Sequence, residues 1–352
     1  MRIFDSVFMT EFELIASLAS RFPVPDGIQG IGDDCAVIPD SSVMPGSTGH
    51  PTGSSVMPDL IGHPTDLLVT TDLLAEGVHF LLDRISPEDL GWKSAAVNIS
   101  DIAAMGGLPK YAFLSLALPK DLTAESPWLD AFFDGFAAAC RQFGVALLGG
   151  DTSASASGVF INVTLIGNCP HGTALLRSAA KPGDLICVTG TLGDSAAGLK
   201  VMKEGDSSTP LRFGRNDSEI ADEEYVLRKH CRPEPRVAEG LALRDCPGVH
   251  AMMDISDGVA ADLPHILEAS GVGATVDVAS LPLSPELRRL CASRGWDAAD
   301  LALCGGEDYE LLFTMAPGTV PPISHTVIGT IDATPGLRWL GGQGSYSGFR
   351  HF

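Results

Sequence analysis

Two α/β domains in one chain is the architecture that the sequence predicts, and three observations carry it. The chain has 352 residues, 45% hydrophobic and 19% charged, enough for two cores of ordinary size. Apolar runs of strand length alternate with helical patterns along its course, as α/β units require. After residue 170 the alternation is interrupted, and Lys181-Pro182-Gly183-Asp184 makes a turn ahead of a fresh strand. The expected domains are 1–170 and 171–352.

Thr10 and Glu13 form a capping box, and Leu14, Ile15 and Leu18 share one face, so a short helix is expected over 10–20. A glycine-rich approach leads to Gly32-Asp33-Asp34 and a short strand at 35–38. Residues 41–53 and 54–66 are a near duplication, SSVMPGSTGHPTG followed by SSVMPDLIGHPTD. Two polar copies are too few for a solenoid, so 40–65 is expected to be a mobile insertion. A strand follows at 66–71. Ser86 caps a helix with Pro87 at its first position, running to about residue 105, where Gly106-Gly107 stop it. Its later half is apolar nearly all round, which leaves Asn98, Ser100 and Asp101 as polar groups in a buried helix. Strands at 111–118, 145–148 and 159–169 and a helix at 127–143 complete the first domain.

The second domain opens with a strand at 185–189 and a glycine-containing start, Gly190 to Ser195, of a helix from about 196. Backbone N–H groups at such a start can hold phosphate, although the Lys of a Walker A loop is missing. Residues 203–224 are polar and without period, and a second mobile loop is expected there. A helix ending near 243, a strand at 249–253, a helix at 259–270 closed by Gly271, a strand at 274–278 and a helix at 285–293 capped by Ser284 follow. The apolar run 301–304 and a strand at 309–315 end the predicted elements.

Four apolar stretches lead into acids: Asp33-Asp34, Asp72, Asp151 after Gly149-Gly150, and Asp254 with Asp257. Carboxylates gathered without matching Lys or Arg repel one another and are stable together only with cations between them. All-oxygen ligands from Asp and Thr suit Mg²⁺, which keeps waters and shares its shell with phosphates. The sequence therefore predicts a magnesium site centred on Asp151.

Against 23 basic residues stand 44 acidic ones, a net charge of −21, which disfavours nucleic acid and anionic membranes as partners. Eight cysteines without a Cys-x-x-Cys pair read as small core residues of a reducing compartment, and no zinc site is expected. With no signal-peptide h-region and no membrane-length apolar run, a cytoplasmic protein is expected.

The blocks GIGDDCAV (30–37), TTDLLAEGVHF (70–80), AVNISDIAAMGG (96–107), GGDT (149–152), RSAAKPGD (177–184), VTGTLGDSAAGL (188–199), HCRPEPR (230–236), DISDGVAADLPHI (254–266), GGEDYELLF (305–313) and GFRHF (348–352) span the chain. Together they resemble the thiamine-monophosphate kinase family, of the superfamily that includes aminoimidazole ribonucleotide synthetase and selenophosphate synthetase. The resemblance implies an aminoimidazole ribonucleotide synthetase-like fold, with an N-terminal α/β domain whose sheet makes a homodimer and a C-terminal α/β domain. It implies several Mg²⁺ ions, held by Asp34, Thr70, Thr71, Asp72, Asp101, Asp151, Asp254 and Asp257, with Asp34, Asp72 and Asp151 at the catalytic centre. Arg177, Ser256 and Gly150 are expected to contact ATP. His79, Glu307 and Tyr346 are expected to contact thiamine monophosphate, Tyr346 standing where the family often has Trp. The implied reaction moves the γ-phosphoryl of ATP onto that phosphate, giving thiamine diphosphate. Phosphoryl transfer between two anions needs charge neutralisation and in-line placement more than covalent help. The alternatives are a superfamily enzyme acting on another acceptor and a non-catalytic nucleotide or Mg²⁺ sensor.

Overall fold

The computed structural model describes residues 28–29, 33–39, 64–122, 127–204, 217–342 and 346–348. The helix expected over 10–20, nearly all of the duplicated insertion and the last four residues lie outside them.

The first half forms a five-stranded sheet of β1 (Ala36–Pro39), β2 (Thr65–Ala75), β3 (Leu108–Leu118), β4 (Ala146–Ala154) and β5 (Phe160–Pro170), in the order β1-β2-β5-β3-β4. Pairing is antiparallel except between β3 and β4, which are joined through a helix, as a parallel crossover requires. Two helices, α1 (Pro87–Ala104) and α2 (Pro127–Phe143), accompany this sheet. Burial alternates along β5, so that Ile161, Val163, Leu165 and Cys169 enter the core that α1 closes.

Helix α1 begins as its sequence predicts. Ser86 accepts a hydrogen bond from Asp89 N at 3.0 Å, and Pro87 occupies the first turn. Fourteen of its eighteen residues are buried, so it is a central rod and not an amphipathic surface helix. Its crossing with α2 is set by glycines: a Cβ on Gly91 would lie 1.9 Å from Phe132 O, and one on Gly135 1.8 Å from Glu88 O.

The second half contains β6 (Leu185–Val188), β7 (Val249–Asp254), β8 (Gly273–Asp277), β9 (Leu311–Met315), β10 (Thr326–Asp332) and β11 (Gly336–Leu340), in the order β11-β8-β10-β6-β9-β7. Its helices are α3 (Asp194–Glu204), α4 (Asp217–Cys231), α5 (Val237–Arg244), α6 (Val259–Ser270), α7 (Pro285–Arg294) and α8 (Ala298–Cys304). The halves meet on α1. Gly240 of α5 lies so near it that a Cβ would stand 2.2 Å from Ala103 O, and Trp92 Nε1 donates to Pro233 O at 2.7 Å.

Three expectations are corrected. Residues 217–224 are not loop but the first half of α4, while 205–216 lie outside the described residues. This helix carries little apolar period because its buried acids are neutralised from α7. Asp222 receives Arg289 Nε at 2.9 Å and Nη2 at 2.6 Å, and Glu223 pairs with Arg294, which also reaches Glu204 at 3.0 Å. Second, β2 and β4 do not end at their acids but run through Asp72 and Asp151 to residues 75 and 154. Third, the sequence reading assigns no element beyond residue 315, yet β10 fills the centre of the second sheet and β11 its edge. β10 is interrupted by a register shift at Gly329, and β11 is a five-residue edge strand split by Arg338, so neither shows an uninterrupted apolar run.

Gly135→Ala is expected to lower the unfolding free energy by about 2 kcal/mol, the overpacking cost outweighing the better helix propensity of alanine. Urea unfolding measures this, and an unchanged midpoint would contradict the close crossing of α1 and α2.

Candidate active site

The acids converge where α1 meets both sheets. Asp34 precedes β1, Asp72 lies within β2, Asp101 is on the last turns of α1 and Asp254 ends β7. Ligand oxygens of Asp34, Asp101 and Asp254 all lie within 4.8 Å of one another. The polar residues of α1 are turned to this cluster or its supports. Ser100 Oγ donates to Asp254 Oδ2 at 2.5 Å, and Asn98 Oδ1 accepts from Asp72 N at 3.2 Å. Thr70 Oγ1 donates to Asp101 Oδ2 at 2.5 Å. Thus the side chains that would be costly inside an apolar helix are satisfied by the site itself.

The facing cation is Arg177. Its guanidinium bonds Asp34 Oδ1, and its backbone N donates to Asp33 Oδ1 at 2.7 Å. Among the described residues its buried Nε has no hydrogen-bond partner, and neither has Asp34 Oδ2. One guanidinium does not balance four carboxylates. Burial raises the Asp72 carboxyl to about 6, with the Asp34 charge adding to it, and raises Asp254 to about 8 for the same two reasons. Asp101 is pushed well above the ordinary carboxylate range by burial and by Asp72, Asp254 and Asp34; Asp34 is also raised by burial, against the pull of Arg177. An orphaned buried carboxylate oxygen beside two further acids is a donor set that fits a hard divalent cation.

Two other expected ligands sit elsewhere. Side chains alternate along a strand, so Thr71 faces away from its neighbours Thr70 and Asp72. Its Oγ1 lies 3.2 Å from Val163 O and 3.0 Å from Thr164 Oγ1, on the outer face of the sheet. Asp151 is in register with Ser115, which pairs in turn with Asn162 and so with Leu73, a row on that same outer face. It is exposed, and one of its oxygens accepts from Thr152 N at 2.8 Å. Among the described residues the acidic cluster is thus drawn from Asp34, Asp101 and Asp254, and Asp151 stands apart from it on the outer face of the sheet. Gly150 owes its lack of a side chain to packing, since a Cβ would meet Leu114 O at 1.7 Å.

Beside the acids opens a cavity of about 490 Å³. Asp72 and Asp101 line it, as do His79, Ser256, Asp257 and Glu307. His79 Nδ1 accepts from Ala75 N at 3.0 Å, and Glu307 N donates to Ser256 O at 2.7 Å. Tyr346 is not among the lining residues. It packs edge-on against Trp339 with ring centroids 5.3 Å apart. The helix start at Gly190 to Ser195 offers no phosphate cradle either, because Asp308 already accepts from Gly193 N at 2.7 Å and Ser195 N at 3.1 Å. Sequence reasoning missed Lys93 and His230. Lys93 Nζ lies 2.8 Å from Glu307 Oε1, and His230 lines the cavity. A lone lysine inside the apolar stretch of α1 was a visible signal, whereas the partner it meets was not.

Comparison with known proteins gives consistent findings. The family described as AIR synthase related protein, N-terminal domain, matches residues 32–169, and its C-terminal counterpart matches 181–320. A thiamine-monophosphate kinase of Salmonella typhimurium is 41% identical over 309 residues, covering 87% of this chain and 82% of that protein. Among solved structures, AaThiL complexed with AMPPCP and TMP is 34% identical with a TM-score of 0.81, covering 100% of this chain and 99% of that one. The thiamine-monophosphate kinase of Stenotrophomonas maltophilia is 38% identical with a TM-score of 0.70, covering 94% and 96%.

The raised carboxyls make a pH prediction. A group whose pKa is higher folded than unfolded contributes stability below its unfolded value, near 4, and loses it as pH rises through the folded value. For Asp72 that loss falls between about pH 4 and 6 and for Asp254 between about pH 4 and 8. With chelator present, the melting temperature is expected to fall across this range, and millimolar Mg²⁺ is expected to restore it far more at pH 8 than at pH 5. A chelated protein that becomes more stable from pH 5 to 8 would contradict the arrangement.

Proposed function

This chain belongs to the thiamine-monophosphate kinase family of AIR synthase related proteins, and on that premise we propose that its cleft passes the γ-phosphoryl of ATP to thiamine monophosphate, giving thiamine diphosphate and ADP. The observation that carries the assignment to this cleft is continuity. Asp72 and Asp101 border both the acidic cluster and the cavity, so a cation site and a site for an organic acceptor share a wall.

Magnesium bound among these acids would neutralise the phosphate charges and hold the two phosphates in line. Asp34, Asp72, Asp101 and Asp254 are the residues that would hold it. Thr70 and Ser100 fix the orientation of Asp101 and Asp254 by donating to one oxygen of each, leaving the other for coordination. Arg177, anchored by Asp33 and Asp34, keeps its Nε for a nucleotide phosphate. The cavity takes the ring portion of the acceptor. No side chain needs to remove a proton, because the attacking phosphate oxygen is already anionic. The eight unpaired cysteines and the use of ATP agree with a reducing, cytoplasmic setting.

The outer face of the first sheet supports a homodimer. Leu67, Leu73, Tyr111 and Phe113 are 38–55% exposed there, an apolar surface larger than scattered single residues. A second copy is the occupant that the family's shared assembly implies. Phe113→Asp is expected to shift the protein from dimer to monomer in sedimentation; a wild-type monomer at micromolar concentration would contradict this surface.

Purified protein with ATP and Mg²⁺ is expected to convert thiamine monophosphate to thiamine diphosphate and to leave thiamine unphosphorylated, whose hydroxyl stands one phosphate too far from ATP. Asp101→Asn is expected to lower kcat/KM by at least about 100-fold, and Asp151→Asn by less. Equal losses would mean that the centre of the cation site is wrongly drawn.

A further inference from the structure

Glu307 stands on a backbone that few residues other than glycine adopt. Its φ is +64°, and that of Tyr309 is +50°. Hydrogen bonds from Glu307 N to Ser256 O and from Tyr309 N to Ile255 O, at 2.7 and 2.9 Å, tie this segment to the loop after β7. The strain aims the carboxylate between two nitrogens. Lys93 Nζ is 2.8 Å from Oε1, and His230 Nδ1 is 3.2 Å from Oε2. Both oxygens are thereby engaged inside the protein before any acceptor arrives.

That arrangement dictates the protonation of His230. Burial acts to raise the Glu307 carboxyl, but the Lys93 charge holds it below the usual value, so it is ionised and can only accept. A bare Nδ1 lone pair 3.2 Å from that anionic oxygen would be repelled, so Nδ1 carries the proton and donates it to its hydrogen-bond partner, Ser195 Oγ, at 3.1 Å. Burial first, and then the Lys93 charge, push the imidazole down to about 3, so the ring is neutral and has no second proton. Nε2 is left with a lone pair. His230 is 3% exposed, lines the cavity, and among the described residues nothing hydrogen-bonds Nε2.

We propose that His230 is a specificity-determining residue: its Nε2 accepts a hydrogen bond from the exocyclic amino group of the acceptor's pyrimidine ring, with Lys93 and Glu307 as positioning residues that fix the tautomer. The inference rests on the reading of this cavity as the acceptor site. It replaces direct contact between Glu307 and the ring by a chain of three side chains from α1, the segment after α8, and α4. A ring bearing a carbonyl in place of the amino group would turn a lone pair toward a lone pair. Sites built on a buried hydrogen bond reject such analogues strongly, by far more than one lost contact in water.

The test compares kcat/KM for thiamine monophosphate and oxythiamine monophosphate, which carries that carbonyl, at saturating ATP. Wild type is expected to favour thiamine monophosphate by at least about 100-fold. His230→Gln, whose carboxamide can rotate to donate or accept, is expected to lower that ratio at least tenfold with KM for ATP within about twofold. Glu307→Gln, which frees the imidazole proton to move, is expected to lower it as well. Comparable turnover of both substrates by wild type, or an unchanged ratio in His230→Gln with turnover retained, overturns the proposal. ¹⁵N NMR of the wild-type imidazole reads the tautomer without any variant: a protonated Nδ1 supports it, and a protonated Nε2 overturns it. If wild type turns over neither substrate while the imidazole carries its proton at Nδ1, the acceptor reading of the cavity fails and the tautomer argument survives.

Discussion

Among the described residues four carboxylates face one guanidinium where α1 meets both sheets, and this imbalance governs the rest of the site. Asp72, Asp101 and Asp254 come from three different elements and Asp34 from the segment before β1, so each pays its desolvation only because the fold holds it there. Arg177 answers one oxygen of Asp34, and hydroxyls answer one oxygen each of Asp101 and Asp254. What remains are carboxyls whose raised affinity for protons marks the place of a missing cation, and a divalent ion with the phosphates it carries would displace those protons and complete the site.

Helix α1 makes that convergence possible. A rod buried on every side can reach the first sheet, α2, α5 and β7 at once. Its glycine crossing with α2 and its contact with Gly240 of α5 bring the backbones close enough for short side chains such as Ser100 and Asp101 to span the seam. The same helix carries Lys93 toward the cavity, so cation site and acceptor site are positioned by one element. A displacement of α1 would disturb both together.

Much of this was legible in the residues. Local signals sufficed for α1, with Ser86 and Pro87 at its start, for α2 over 127–143, for α6 closed by Gly271, and for α7 capped by Ser284. Asp34, Asp72, Asp101 and Asp254 were legible because acids in apolar surroundings demand an explanation. The faces of Thr71 and Asp151 were not, because a strand that continues past an acid turns alternate side chains to opposite sides, and only the register shows which. Helix α4 was hidden because Arg289 and Arg294, which neutralise its acids, lie some seventy residues further along the chain. For Lys93 and His230 the reason is similar: Glu307 was marked by its motif, but the two nitrogens that meet it acquire a role only when the fold closes around them.

The most direct measurement is anomalous diffraction from crystals grown with Mn²⁺ in place of Mg²⁺ and a non-hydrolysable ATP analogue. Peaks are expected among Asp34, Asp101 and Asp254, with metal–oxygen distances of about 2.1 Å. Peaks held by Asp151 and Thr71 on the outer face, with none among those three carboxylates, would contradict the account.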